Sequence, residues 1–129
     1  MAVHNELNGR RITSDDPQDQ GRVYLILDGQ RRWIPNPATY DNLFRDWNGI
    51  ERYADINDID RGTDIADGAL LVNAGNGAVY LITDGSGTKR HIADPATMDA
   101  YYFNWGKIVA VPAVVLNAVP VGPDINING

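Results

Sequence analysis

The residues best suited to chemistry are aromatic and basic, and they share one strand. Trp33 alternates with Arg32 and Ile34, so a strand over 31–35 sends Ile34 to one face and Trp33, with Arg31, to the other. Tyr24 belongs to the preceding run, Gly21–Ile34, GRVYLILDGQRRWI, which returns as Gly77–Ile92, GAVYLITDGSGTKRHI, with His91 at the place of Trp33 and Lys89 at the place of Arg31. Flat aromatic rings stack on sugar rings, and arginine hydrogen-bonds their hydroxyls or an attached phosphate. Trp33, Arg31, Arg32 and Tyr24 are therefore the candidate ligand-binding set, with His91 and Lys89 as its weaker copy. Cross-strand packing, or contact between the two copies, is the alternative role for Trp33.

Other chemistry finds less support. Serine hydrolysis needs a nucleophile, a base and an orienting acid within hydrogen-bond reach. The serines are Ser14 and Ser86 and the histidines His4 and His91; only Ser86 and His91 could approach each other, across a hairpin, and position 33 has no base. No catalytic residue is assigned, and the chain reads as a non-enzyme. The acidic run Asp55, Asp58, Asp60, Asp64, Asp67 lacks the EF-hand's glycine at its sixth position and glutamate at its twelfth. It reads as solvated helix and turn charges, with a weak cation site as the alternative. Asn73–Gly77, NAGNG, joins two strands and opens no helix, so it is no dinucleotide loop. No metal or cofactor is expected.

What must position these residues is a duplicated scaffold. Gly21, Val23, Tyr24, Leu25, Ile26, Asp28 and Gly29 return 56 positions later; Arg32, Ile34, Pro37, Ala38, Thr39, Trp47 and Ile50 return after 58. The two added residues belong in the Ser86–Thr88 hairpin tip. Each copy ends on glycine, one residue, aspartate and isoleucine, at Gly62–Ile65 and Gly122–Ile125. Two copies suggest a pseudo-two-fold pair sharing one core, since an open array needs at least three.

Within each copy the pattern predicts a three-stranded antiparallel meander: Arg10–Thr13, Arg22–Asp28 and Arg31–Pro35, then Ala69–Asn73, Ala78–Asp84 and Lys89–Ala93. Asp28-Gly29 and Asp84-Gly85 supply the hairpin turns. A helix follows, capped by Asn36 or Asp94 with Pro37 or Pro95 at its first position. Tyr40, Leu43, Phe44 and Trp47, like Met98, Tyr101, Tyr102 and Trp105, fall at i, i+3, i+4 and i+7, one apolar face expected in the core. A short extended piece and a second short helix or turn close each copy. Residues Met1–Leu7 show no period and are expected to fray, and the C-terminal strand is expected to close back on the first unit. The fold class is α+β: residues 1–129 form one domain, with internal repeats at about 9–65 and 66–125.

Composition sets outer limits. A chain of 129 residues buries roughly two thirds of its unfolded surface, enough for an ordinary core. The absence of cysteine removes disulfides, thiolate metal sites and Cys nucleophiles. A net charge of −6 disfavours nucleic acid and anionic membranes, which need clustered lysine and arginine. No run reaches the ~20 apolar residues of a membrane span, and the N-terminus has neither the charged nor the apolar region of a signal peptide. Of the eleven basic residues, Arg10, Arg11, Arg22, Arg31, Arg32, Arg45, Arg52 and Arg61 all precede position 62, so the first copy could carry a local basic face.

The VYLI-x-DG pattern, the basic pair and isoleucine after it, the Pro-capped helix with its distal tryptophan and the closing G-x-D-I step together resemble a tandem repeat of uncharacterised bacterial proteins. The resemblance covers residues 9–125. It implies a secreted or surface-associated setting beside wall-processing or sugar-binding domains, and it implies no catalytic residues. Two functions are thus expected as rivals: a noncatalytic binding module for surface glycan or another polar surface ligand, and a structural or protein–protein interaction protein.

Overall fold

The computed structural model describes residues 3–75, 77–82 and 88–127. Its first unit runs β1 (Arg11–Ser14), β2 (Val23–Leu27), β3 (Gln30–Trp33), α1 (Pro37–Leu43) and β4 (Glu51–Tyr53). The second runs β5 (Leu70–Asn73), β6 (Tyr80–Ile82), β7 (Lys89–His91), α2 (Pro95–Ala100), β8 (Val109–Ala110) and α3 (Ala113–Asn117). The two sheets have the same strand order, β3-β2-β1-β4 and β7-β6-β5-β8. The expected meander is present in each, and the register repeats: Tyr24 faces Trp33 and Leu25 faces Arg32, as Tyr80 faces His91 and Leu81 faces Arg90. The architecture is therefore two pseudo-symmetric α+β units packed as one domain.

Local chemistry explains the elements. Asp28 and Gly29 take φ of 57° and 73°, the paired positive values of a two-residue hairpin turn, and Leu27 faces Gln30 across it. The matching Asp84-Gly85 turn and Ser86 lie outside the described residues. Both helix caps form as their residue types require: Asn36 Oδ1 accepts from the Thr39 amide and Asp94 Oδ1 from the Thr97 amide, each at 2.8 Å. The extended pieces after the helices add a fourth strand to each sheet, parallel to β1 in the first unit and to β5 in the second.

The two units share one core. Leu25, Leu27, Ile34, Leu43 and Phe44 of the first pack in the same cluster as Leu81, Ile92, Met98, Tyr101 and Phe103 of the second. Phe44 bridges Phe103 in the backbone, with rings 5.6 Å apart, and the Asn104 amide donates to the Leu43 carbonyl at 2.8 Å. A charged junction joins the same halves: Arg90 donates from both terminal nitrogens to the Asp28 carboxylate, at 2.7 and 2.8 Å, and Arg32 adds a bond at 2.9 Å. The outer face of the first sheet carries a second, smaller core of Ile12, Tyr24, Ile26, Ile56 and Ile59.

Three expectations are corrected. The helices are shorter than the apolar spacing suggested: α1 ends at Leu43 and α2 at Ala100, so Trp47 and Trp105 lie beyond them and are 46% and 47% exposed rather than core. Tyr102, at φ 60°, also leaves the helical face and is half-buried, its hydroxyl on Asp46 at 2.7 Å. The C-terminal segment closes on its own unit, where Ile125 bridges Ile92 and its amide donates to the His91 carbonyl at 2.8 Å. Ile65 does the same in the first unit, donating to the Trp33 carbonyl at 2.9 Å, so identical edges capture identical G-x-D-I steps. Residues 3–8 are anchored rather than frayed: the His4 amide donates to the Gly29 carbonyl and Asn8 Oδ1 accepts from the Gly29 amide, both at 2.7 Å. The lack of period misled here because polar side chains and backbone, not an apolar face, fasten the segment.

Candidate functional site

The six predicted binding residues divide between structure and surface. Tyr24 is 1% exposed, closed into the outer core, with its hydroxyl donating to Asp19 Oδ1 at 3.1 Å. Burial removes it from the candidate ligand-binding set, because Ile56, in the short helix Ile56–Asp58 that follows β4, and Ile59 just beyond it cover that face of the sheet. Arg31 lies over the Tyr24 ring and donates from Nε to the Ile59 carbonyl at 2.9 Å. Lys89 is buried, lies over Tyr80 and donates from Nζ to the Leu116 carbonyl at 2.8 Å. These two cations perform one task in both units, tying the segment after the fourth strand to the sheet: Arg31 at the end of the short helix Ile56–Asp58, Lys89 within α3. Arg32 is buried in the charged junction with Asp28.

Trp33 and His91 remain partly open, and each lines a groove. The first groove has a volume of about 390 Å³ and lies between the start of β2, the end of β3 and the helix α1; Arg22, Trp33, Asn36, Pro37, Tyr40 and Trp47 wall it. The second, about 130 Å³, is bounded by His91, Asp94, Pro95, Met98 and Trp105. The walls correspond position by position: Gly21 with Gly77, Val23 with Val79, Ile34 with Ile92, Pro37 with Pro95, Trp47 with Trp105. A concavity present twice at equivalent positions is a property of the unit, not of one loop.

Trp47 forms the platform of the larger groove. One face of its indole stacks on Tyr40, centroids 3.8 Å apart and planes 20° from parallel, while nearly half of the side chain faces solvent. Its Nε1 donates to Asp41 Oδ1 at 3.0 Å, fixing the ring. Trp105 repeats the device on Asp99 Oδ1 at 3.3 Å. Tyr40 is itself fixed from below, donating to the Asp46 carbonyl at 2.6 Å and accepting from the buried Arg11 guanidinium. In the same groove the Arg22 guanidinium lies 5.0 Å over the Trp33 ring.

Sequence reasoning missed Trp47, Trp105 and Arg22. The signal was available: Trp47 stands amid Arg45, Asp46, Asn48 and Gly49, polar and helix-ending neighbours that suit a turn rather than a third helical turn. In the acidic run, Asp64 pairs with Arg61 at 2.8 Å, and Asp67 accepts from Asn36 Nδ2 at 2.8 Å. Among the described residues no three potential metal ligands stand together, and no helix is long and apolar enough to cross a membrane.

No family model, curated protein or solved structure matches the chain.

Proposed function

We propose that the protein is a noncatalytic binding module whose first-unit groove takes a saccharide of a surface glycan. One observation carries the reading: an exposed indole, Trp47, is held rigid by a ring beneath it and a carboxylate at its edge, inside a groove that recurs in the second unit. A pre-oriented flat apolar face contributes stacking without the entropy cost of ordering it on binding. The neutral polar side chain of Gln20 in the groove wall suits hydroxyls. The secreted or surface setting that the repeat resemblance implies fits such a ligand.

The test is a glycan array probed with the wild type and with Trp47→Ala and Trp33→Ala, followed by titration of any positive sugar. Binding that either variant lowers at least tenfold while its far-ultraviolet dichroism stays native supports the groove. Binding insensitive to both variants, or no binding across the array, removes the reading.

A second reading rests on a different surface. Residues 109–121 contain no charged side chain, and Val114 and Val121 are 76% and 70% exposed. Such an uncharged apolar strip suits contact with another protein. Light scattering of wild type and Val114→Lys would report self-association through it: a dimer that the lysine abolishes favours the interaction-protein reading.

A further inference from the structure

Resting on the saccharide reading of the first groove, we propose that its preferred ligand is a sugar bearing a carboxylate, recognised by Arg22. Among the described residues that wall the groove, Arg22 is the single ionised side chain; Gln20 and Asn36 are neutral. Its side chain is 40% exposed, and its ion-pair contact, Nη1 to Asp19 Oδ1, is long at 3.9 Å. That same Asp19 oxygen also accepts the Tyr24 hydroxyl at 3.1 Å. Stacking over Trp33 holds the guanidinium at the groove wall, where its planar fork matches a carboxylate in bidentate fashion. The neighbouring carboxylates are otherwise engaged, Asp41 by the Trp47 indole and Asp67 by Asn36, which leaves Arg22 as the cation of the groove wall that an anionic ligand would meet.

The second unit shows the opposite choice on the same frame. Ala78 stands where Arg22 does, Asp94 where Asn36 does and His91 where Trp33 does. That groove has exchanged a cation for a carboxylate, so it should refuse the acidic sugar and serve as an internal control within one molecule.

The chain has three tryptophans, one in the second groove and two in the first, so the indole N–H resonances report the grooves separately. Assigned by single Trp→Phe variants, they would be followed during titration with two acid and neutral pairs: trigalacturonate against its methyl ester, and sialyllactose against lactose. The proposal expects the acid of at least one pair to bind at least tenfold tighter than its neutral partner, shifting Trp33 and Trp47 but not Trp105. In Arg22→Gln the ratio of acid to neutral affinity falls to about one, whatever the change in neutral affinity itself. Native far-ultraviolet dichroism of Arg22→Gln would establish that the fold is kept. Equal affinity for acid and neutral sugars in both wild-type pairs, or a preference that survives Arg22→Gln, overturns the role of Arg22 and leaves the saccharide groove standing. Silence of Trp33 and Trp47 with all four probes, together with an empty array, overturns the groove reading and this proposal with it.

Discussion

Trp47 and Arg31 exchange roles once their surroundings are known. Trp47 has the spacing of a core residue and the environment of a platform. Its truncation to alanine should lower stability by about 0.5–1.5 kcal/mol, the worth of an aromatic pair, rather than the 3–5 kcal/mol of a core ring. Tyr40→Ala, by contrast, removes a fully buried ring and should cost about 3–5 kcal/mol; urea midpoints of the two variants compare them directly. Arg31 reverses in the other direction. It bonds the Ile59 carbonyl from beneath the short helix, so Arg31→Ala should cost about 1.5–3 kcal/mol of stability and leave sugar affinity unchanged in the same titrations. A large affinity loss without a stability loss would return Arg31 to the binding set.

At the scale of elements, the β2–β3 hairpin does more than turn. Its Asp28 carries the bidentate bond from Arg90, a side chain only 4% exposed, and so ties one unit's turn to the other unit's strand. Burial pushes the Asp28 carboxyl up, but the Arg90 and Arg32 guanidinium groups outweigh it and hold the group below its ordinary value of 3.8. A carboxyl whose folded pKa is depressed contributes stability in full above its unfolded value and loses it as pH falls through the folded one. Asp28→Asn should therefore be less stable than wild type at pH 7, and the gap should close as pH drops below about 3.8. Denaturant midpoints at pH 7, 4 and 2.5 would show the convergence; a gap independent of pH would mean that the amide's geometry, not the charge, is at fault.

For the whole molecule, the decisive fact is that the main core belongs to both units. Leu25 and Leu27 of one sheet meet Leu81 and Ile92 of the other in one cluster, so neither unit can bury its inner face alone. Unfolding should accordingly be a single transition, with tryptophan fluorescence and far-ultraviolet dichroism coincident. A fragment spanning residues 1–67 should be unfolded or self-associated, and its chemical-shift dispersion would report which. A fragment that folds as a monomer would show that the duplication joined two independent domains.

The repeat, the meander, the Asp28-Gly29 turn, the two helix caps and the inward direction of Ile34 were all legible in the sequence. Each depends on interactions within a few residues or on the alternation of a strand, and such local rules act wherever the segment is placed. The fates of Trp47, Tyr24 and Arg31 were not legible. Trp47 left the core because its helix ends after seven residues. Tyr24 entered a core because Ile56 and Ile59, distant in sequence, cover the outer face of its sheet. Arg31 was committed to a backbone carbonyl that the same cover delivers. Residue type states what a side chain can do, and spacing states its neighbours on one element. Which face is covered, and by what, is set by packing between distant segments, and it is that packing that places the proposed site in the groove beside Trp47 rather than on the sheet face.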